Sequence, residues 1–237
     1  MIIKMNIRLL GLIGGMSWES TIEYYRIINE MVKEKLGGWN SAKIMLYSVN
    51  FDQIYQLQQQ NKWDNVAKIL ISISKKLEHA GCSAIVICSN TAHKIAEKII
   101  PEITIPLIHV VDETAKIIKN CNISSIGLLG TRFTMEGDFY IKKLEKSYGL
   151  QVILPEPKQR EYIDYAIFHE FAQGTFLDST KTEFLKIIDS LEKKGAEGII
   201  LGCTEIPLLV KQNDVDIPLF NTLTIHLAAA VEFALSN

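Results

Sequence analysis

Three segments of this chain occur twice, in the same order and at nearly constant spacing. EHAGCSAIVICSNT (78–91) lies over LEKKGAEGIILGCTE (191–205) with Gly81 on Gly195, which pairs Ile85 with Ile199, Ile87 with Leu201 and Ser89 with Cys203 at an offset of 114 residues. GLIGGMSWESTIEYY from Gly11 and GLLGTRFTMEGDFY from Gly127 match Gly14 to Gly130 and Tyr24 to Tyr140 at an offset of 116. IPLIH from Ile105 and IPLFN from Ile217 repeat at 112. Self-similarity at one period means a folded unit used twice, so each half must build the same elements in the same order.

The material suffices for two such halves. With 237 residues, 48% of them hydrophobic and 22% charged, the chain can bury two cores of roughly 110 residues each. A net charge of −2, with Lys and Arg scattered along the sequence, leaves no electrostatic footprint for nucleic acid or an anionic membrane, and neither is expected as a partner. The opening MIIKMNIRLLGLIGG is apolar, but Lys4, Asn6 and Arg8 break it and it runs straight into a glycine turn; it reads as a first buried strand of a cytoplasmic protein. Cys82, Cys88, Cys121 and Cys203 have no CxxC or Cys/His spacing, so neither a disulfide framework nor a structural metal is implied.

Short apolar runs alternate with longer amphipathic ones. Strands are expected at Leu9–Ile13, Lys43–Val49, Ala84–Cys88, Leu107–Ile108, Ser125–Leu129, Gln151–Leu154, Gly198–Leu201 and Leu219–Phe220. Helical periodicity covers Ser20–Lys35, Trp63–Ala80, Met135–Tyr148, Tyr162–Gln173 and Thr180–Lys194. The alternation predicts an α/β protein of two similar domains related by pseudo-twofold symmetry, each a short parallel sheet flanked by helices. The domains are expected at 1–119 and 120–223, with a terminal helix over 224–237 packing back on the first. In such sheets ligands sit off the carboxyl ends of the strands, where both Ser89 and Cys203 fall.

Symmetry gives that placement a chemical meaning. Two equivalent strand ends on opposite sides of one bound molecule would put a proton-transfer group on each face of a carbon, which inversion of a stereocentre requires. At this point the motifs GGMSWEST, SVNF, CSNTAH, GLLGTRFTM and GCTEIPLL together resemble the aspartate/glutamate racemase family over almost the whole chain. The resemblance implies a cofactor-independent racemase of acidic amino acids, a homodimer, with one catalytic residue from each domain. The first is the cysteine of a Cys-Asn-Thr motif in most of the family; here it is Ser89, followed by Asn90 and Thr91. The second, the cysteine of Gly-Cys-Thr-Glu, is intact as Cys203. A subgroup with a hydroxyl residue at the first position is most similar to this chain, and that similarity implies aspartate and glutamate, particularly the L-enantiomers, as substrates.

A cysteine titrates near pH 8.5 when unperturbed and helix N-termini or adjacent donors lower that, so Cys203 can be a thiolate at neutral pH. A serine hydroxyl is a far weaker acid and a poor unaided base, which makes the expected chemistry asymmetric. Cys88 competes one residue from Ser89, but neighbouring strand side chains point oppositely and its repeat partner is Gly202. Asn90, Thr91 and Thr204 suit both helix capping and an α-carboxylate. Glu205 is a first-turn acid, or a group that meets the substrate ammonium and orients the thiol. The turn GLIGGMS lacks GxGxxG spacing and reads as bringing Met16 and Ser17 to the substrate, with Thr131 and Thr134 as the repeat's counterpart. Asn50 and Gln58 match positions where the family handles substrate, Gln58 reading equally as a solvated loop residue. Arg132 and Arg160 are candidates for the side-chain carboxylate, since a guanidinium fork matches one. His93, His109 and His226 read as buried, hydrogen-bonded histidines. Two other functions stand beside racemisation: isomerisation or decarboxylation of a small diacid on the same scaffold, and a binding or regulatory protein without turnover, against which the intact GCTE motif argues.

Overall fold

The computed structural model describes residues 7–236, so Lys4 and Asn6, which interrupt the opening apolar run, lie outside the described residues. By internal contacts the chain divides into two compact units. One runs to His109 and resumes at His226; the other is Val110–Ile225.

The first unit carries β1 (Leu10–Gly14), β2 (Ile44–Ser48), β3 (Ala84–Ile87) and β4 (Leu107–Ile108), all parallel in the order β2-β1-β3-β4. The inner strands β1 and β3 are buried throughout, which is why LGLIG and AIVI read as continuous apolar runs and not as alternating ones. Helices Trp18–Leu36 and Trp63–His79 bury Ile28, Val32, Val66, Leu70 and Leu77 in this unit's core. The terminal helix, Thr222–Leu235, contributes Leu227, Ala230, Val231 and Ala234 from the part that counts with this unit, and Arg8 N–H donates to the Ala234 carbonyl at 2.9 Å.

The second unit repeats the plan with β5 (Ser125–Gly130), β6 (Gln151–Ile153), β7 (Ile199–Gly202) and β8 (Leu219–Asn221) in the order β6-β5-β7-β8, again parallel. The pairing is duplicated residue for residue. Gly11 pairs with Ile85 in the first sheet and Gly127 with Ile199 in the second, each shifted by its own repeat offset of 116 or 114. Likewise Ile85 pairs with Leu107 and Ile199 with Leu219, the latter strand shifted by 112. Two α/β units with four-stranded parallel sheets, as the repeat required, are therefore present, and all eight expected strands occur within a residue or two of their expected ends.

Helices depart further from expectation. The run Met135–Tyr148 is not one helix: Arg132–Met135 ends, Gly137 takes an extended conformation, and Asp138–Lys142 continues into a π-helical turn at Lys143–Ser147. A Cβ on Gly137 would lie 2.2 Å from the Phe133 carbonyl oxygen, so this close passage requires glycine. Besides short turns such as Ala96–Ile99 and Ile206–Leu209, two longer helices were not foreseen. Phe51–Gln59 is polar enough to read as a loop, yet it buries Ile54 and Gln58, so Gln58 is not a solvated loop residue. Val110–Asn120 packs Val110, Val111, Ala115 and Ile118 into the second unit's core, so the observed division falls before this helix, whereas the sequence reading put it after.

Candidate active site

In each unit the chemically active side chains leave the same edge of the sheet. Strand register sets them there. In the first unit Gly14 pairs with Ser48 and Ile13 with Ile87, so the loops after β1, β2 and β3 emerge side by side. Their backbones are tied: Val49 N–H donates to the Gly14 carbonyl at 3.0 Å and Cys88 N–H to that of Ile13 at 2.9 Å. Gly15, at φ 86°, passes so close to Val49 that a Cβ would sit 2.3 Å from its carbonyl oxygen. Met16 and Ser17 follow, both buried, across a cis peptide bond.

Ser17 caps helix Trp18–Leu36, its hydroxyl accepting from Ser20 N–H at 3.3 Å. Thr21, which the sequence reading passed over, pins the turn from inside the helix: it accepts from Gly15 N–H at 2.8 Å and donates to the Ser17 carbonyl at 2.7 Å. The signal was available as a β-branched hydroxyl one helical turn after a cap residue. Asn50 caps the next helix through Asp52 N–H at 3.1 Å and remains exposed. Gln58 is only 4% exposed on that helix.

Ser89 is buried at the end of β3. Its hydroxyl accepts from Ala92 N–H at 3.3 Å, and its carbonyl oxygen accepts from His93 Nδ1–H at 2.7 Å. Ser89, not Asn90, thus supplies the side-chain oxygen at the start of the following 3-10 turn; Asn90 makes no capping bond. Asn90 is buried and Thr91 half-buried beside it. Cys88 points into the core with no exposure, away from the strand end where Ser89 emerges, and burial pushes its thiol far above the ordinary range.

The second unit places Thr131, Thr134, Cys203, Thr204 and Glu205 on the corresponding edge. Gly130 pairs with Gly202, and a Cβ on Gly202 would lie 3.2 Å from Thr134 Cγ2, so the two loops touch. Thr131 caps Arg132–Met135 through Thr134 N–H and shares a hydroxyl contact with Thr134 at 3.2 Å. Cys203 Sγ–H donates to Glu205 Oε2 at 2.9 Å, and Thr204 Oγ1–H donates to the same oxygen at 2.8 Å. All three are buried. Thr204 is therefore committed to Glu205 and not to a helix cap.

This geometry does not favour the neutral-pH thiolate that the sequence allowed. Burial first, and then the Glu205 carboxylate by charge and hydrogen bond, push the Cys203 thiol well above its usual range; backbone N–H groups of Glu205 and Ile206 pull the other way without prevailing. Cys203 rests as a thiol with a carboxylate in place to receive its proton. The two arginines differ. Arg132 is exposed with its backbone N–H on Asp164 at 2.7 Å, while Arg160 Nε lies 3.3 Å from Glu136 Oε1 as an ion pair without a hydrogen bond. Among the described residues no group of three or more His, Cys, Asp or Glu side chains is arranged to hold a metal ion.

The model of the Asp/Glu/hydantoin racemase family matches residues 13–230. A candidate Asp/Glu racemase from Yersinia pestis, known from its crystal structure, is 47% identical with a TM-score of 0.92, covering 97% of this chain and 100% of its own. An aspartate racemase homologue from Pyrococcus horikoshii OT3 is 36% identical with a TM-score of 0.85, over 97% and 100% of the two chains. The broad specificity amino-acid racemase RacX of Bacillus subtilis (strain 168) is 24% identical over 217 residues, 90% of this chain and 92% of that protein.

Proposed function

The chain belongs to the Asp/Glu/hydantoin racemase family, and from that premise we propose that it interconverts the L- and D-forms of aspartate or glutamate by moving the Cα proton, without a cofactor. The observation that carries this reading is the duplicated register, which gives each unit one proton-carrying side chain at the same strand end: Ser89 in one, Cys203 in the other. Inversion needs one such group for each face of Cα.

In the proposed reaction Glu205 takes the Cys203 proton and the thiolate removes the α-proton. The carbanion, its charge spread into the α-carboxylate, then accepts a proton on its other face from Ser89 Oγ–H; solvent reprotonates Ser89 and takes the proton held by Glu205, which restores the starting enzyme. A raised thiol pKa suits this task, because the α-proton is a very weak acid and the thiolate that removes it must be correspondingly basic. Asn90, Thr91, Thr131, Thr134 and the Met16–Ser17 turn line the two edges as substrate-binding groups, with Asn50 and Gln58 further along the first. Among the described residues no carboxylate pairs with the Arg132 guanidinium, whereas Arg160 lies beside Glu136, so Arg132 is the better candidate for the substrate side chain.

The enzyme is expected to act as a homodimer in the cytoplasm. Trp18, Ile22 and Tyr25 stand exposed along one face of helix Trp18–Leu36, with Met45, Leu46 and Tyr47 on the edge strand β2, an apolar surface suited to a second copy. Sedimentation at the monomer mass would remove that expectation.

The test of the activity is a chiral assay on separate L- and D-aspartate and glutamate samples in heavy water, following α-proton exchange beside inversion. Enantiomers have equal free energy, so kcat/KM must agree in the two directions and the inequality of Ser89 and Cys203 appears in exchange. The enantiomer whose α-hydrogen meets Cys203 should exchange faster than it inverts, the other should not, and Ser89→Cys should bring the two closer together. Binding without exchange or inversion of any acidic amino acid would sink the proposal.

A further inference from the structure

Behind Ser89 lies a group of buried rings that the proposed reaction does not use. Tyr24, His93, His109 and His226, from four separate segments of the first unit, are each no more than 5% exposed. The His93 ring packs edge-on against His109, with centroids 4.8 Å apart, and against His226 at 5.5 Å. His226 Nε2 lies 2.7 Å from the Ile108 carbonyl oxygen and its Nδ1 3.0 Å from Tyr24 Oη. A carbonyl can only accept, so Nε2 carries the proton and Tyr24 O–H donates to Nδ1. The same reasoning makes His93 Nδ1 the donor to the Ser89 carbonyl at 2.7 Å, and the Ile108 carbonyl also bonds to the His93 ring.

We propose that His93 is a positioning residue for Ser89: its Nδ1–H holds the Ser89 carbonyl and so sets the turn that presents the hydroxyl, while His109 and His226 hold the imidazole in place. This rests on the racemase reading. Two observations carry it. The contact to the Ser89 carbonyl, at 2.7 Å, is much shorter than the 3.3 Å contact between the Ser89 hydroxyl and Ala92 N–H, so the residue is fixed through its backbone and the hydroxyl keeps a proton to give.

The repeat supplies the second observation. Adding the offset of 114 to His93 gives Pro207, and adding 112 to His109 gives Asn221, whereas Tyr24 keeps its counterpart in Tyr140. The imidazoles accompany the hydroxyl half alone. In the thiol half the reacting group is held directly by Glu205 instead. A requirement of the fold would have been copied with the fold; this one follows the residue that reacts. Burial, with the neighbouring His109 and His226, pushes His93 well below its ordinary range against the upward pull of the Ser89 and Ile108 carbonyls, and burial takes His226 down to about 4, so both rings are neutral at neutral pH.

The test compares His93→Asn, whose amide N–H can replace Nδ1–H, with His93→Gln, whose amide reaches to the Nε2 position instead. Racemisation rates, KM and thermal unfolding are measured for both and for the wild type. His93→Asn should keep kcat within about 5-fold of wild type, and His93→Gln should lose about 30-fold or more in kcat with KM nearly unchanged, the scale set by misplacing a reacting group by a fraction of an ångström to an ångström. Equal loss in both variants, a loss carried by KM, or no loss in His93→Gln would overturn the assignment. A wild-type chain that racemises no acidic amino acid would instead overturn the reading beneath it.

Discussion

At the scale of single residues, the sharpest contrast is between two thiols, of which the sequence favoured Cys203. Cys88 and Cys203 are both buried and both raised, but only Cys203 has a carboxylate on its sulfur. Cys203→Ala should abolish racemisation while leaving substrate binding intact, and Cys88→Ala should retain activity; substantial turnover in a homogeneous Cys203→Ala preparation would reverse the assignment. Glu205 allows a test of sign. Its negative charge raises the Cys203 pKa, so in wild type the free thiolate should form only above the range of an ordinary cysteine, while activity, which draws on internal transfer to Glu205, should already be present at neutral pH. Glu205→Gln removes that charge but not the burial, so the thiolate, followed by its ultraviolet absorbance, should appear at lower pH than in wild type. With the proton acceptor gone, kcat should fall by about 10²-fold. A titration moved upward would refute the proposed dyad. The equivalent strand-end positions of Ser89 and Cys203 were legible because the repeat aligned them; the protonation state of Cys203 was not, since it depends on burial and on how the Glu205 side chain turns.

Among elements, strands were more legible than helices. A buried parallel strand is an uninterrupted apolar run such as AIVI or IILG, and little else in a chain looks like it. Phe51–Gln59 hid its helical character because only Ile54 and Gln58 face inward. The tight β1 turn gives an element-scale prediction. A Cβ on Gly14 would fall 2.4 Å from Thr21 Cγ2, and Thr21 is the residue that pins the Met16–Ser17 turn. Gly14→Ala should therefore cost about 1–3 kcal/mol through overpacking and impair activity as well. Gly81→Ala makes a useful comparison, because the space there is open and only the φ of 89° is unfavourable; it should cost about 1–2 kcal/mol and leave kcat unchanged. Chemical denaturation with kinetics checks both. If Gly14→Ala is as active as Gly81→Ala, the turn does not position substrate-binding groups.

For the whole molecule, the two units differ in continuity of chain. Val110–Ile225 is one uninterrupted segment whose core, from Val110 to Phe220, comes entirely from within itself. The first unit needs the segment from His226 onward, which brings Leu227, Ala230, Val231 and Ala234 into its core and the Arg8–Ala234 backbone bond to its first strand. A fragment of residues 110–225 should unfold in a single cooperative thermal transition, and a fragment ending at residue 109 should not; gradual melting of the 110–225 fragment would show that its core is insufficient. The sequence by itself determined that there are two copies of one strand-helix plan, which strands are buried and which residues stand at their ends, because covalent order and apolar runs are written along the chain. Only the tertiary structure decided that helix Val110–Asn120 belongs with the second core, that Arg160 is taken by Glu136, that Cys203 rests as a thiol and that the Ser89 turn hangs from His93. Each of these depends on which side chains meet across the fold and how much water is excluded when they do, and neither is set by position along the sequence.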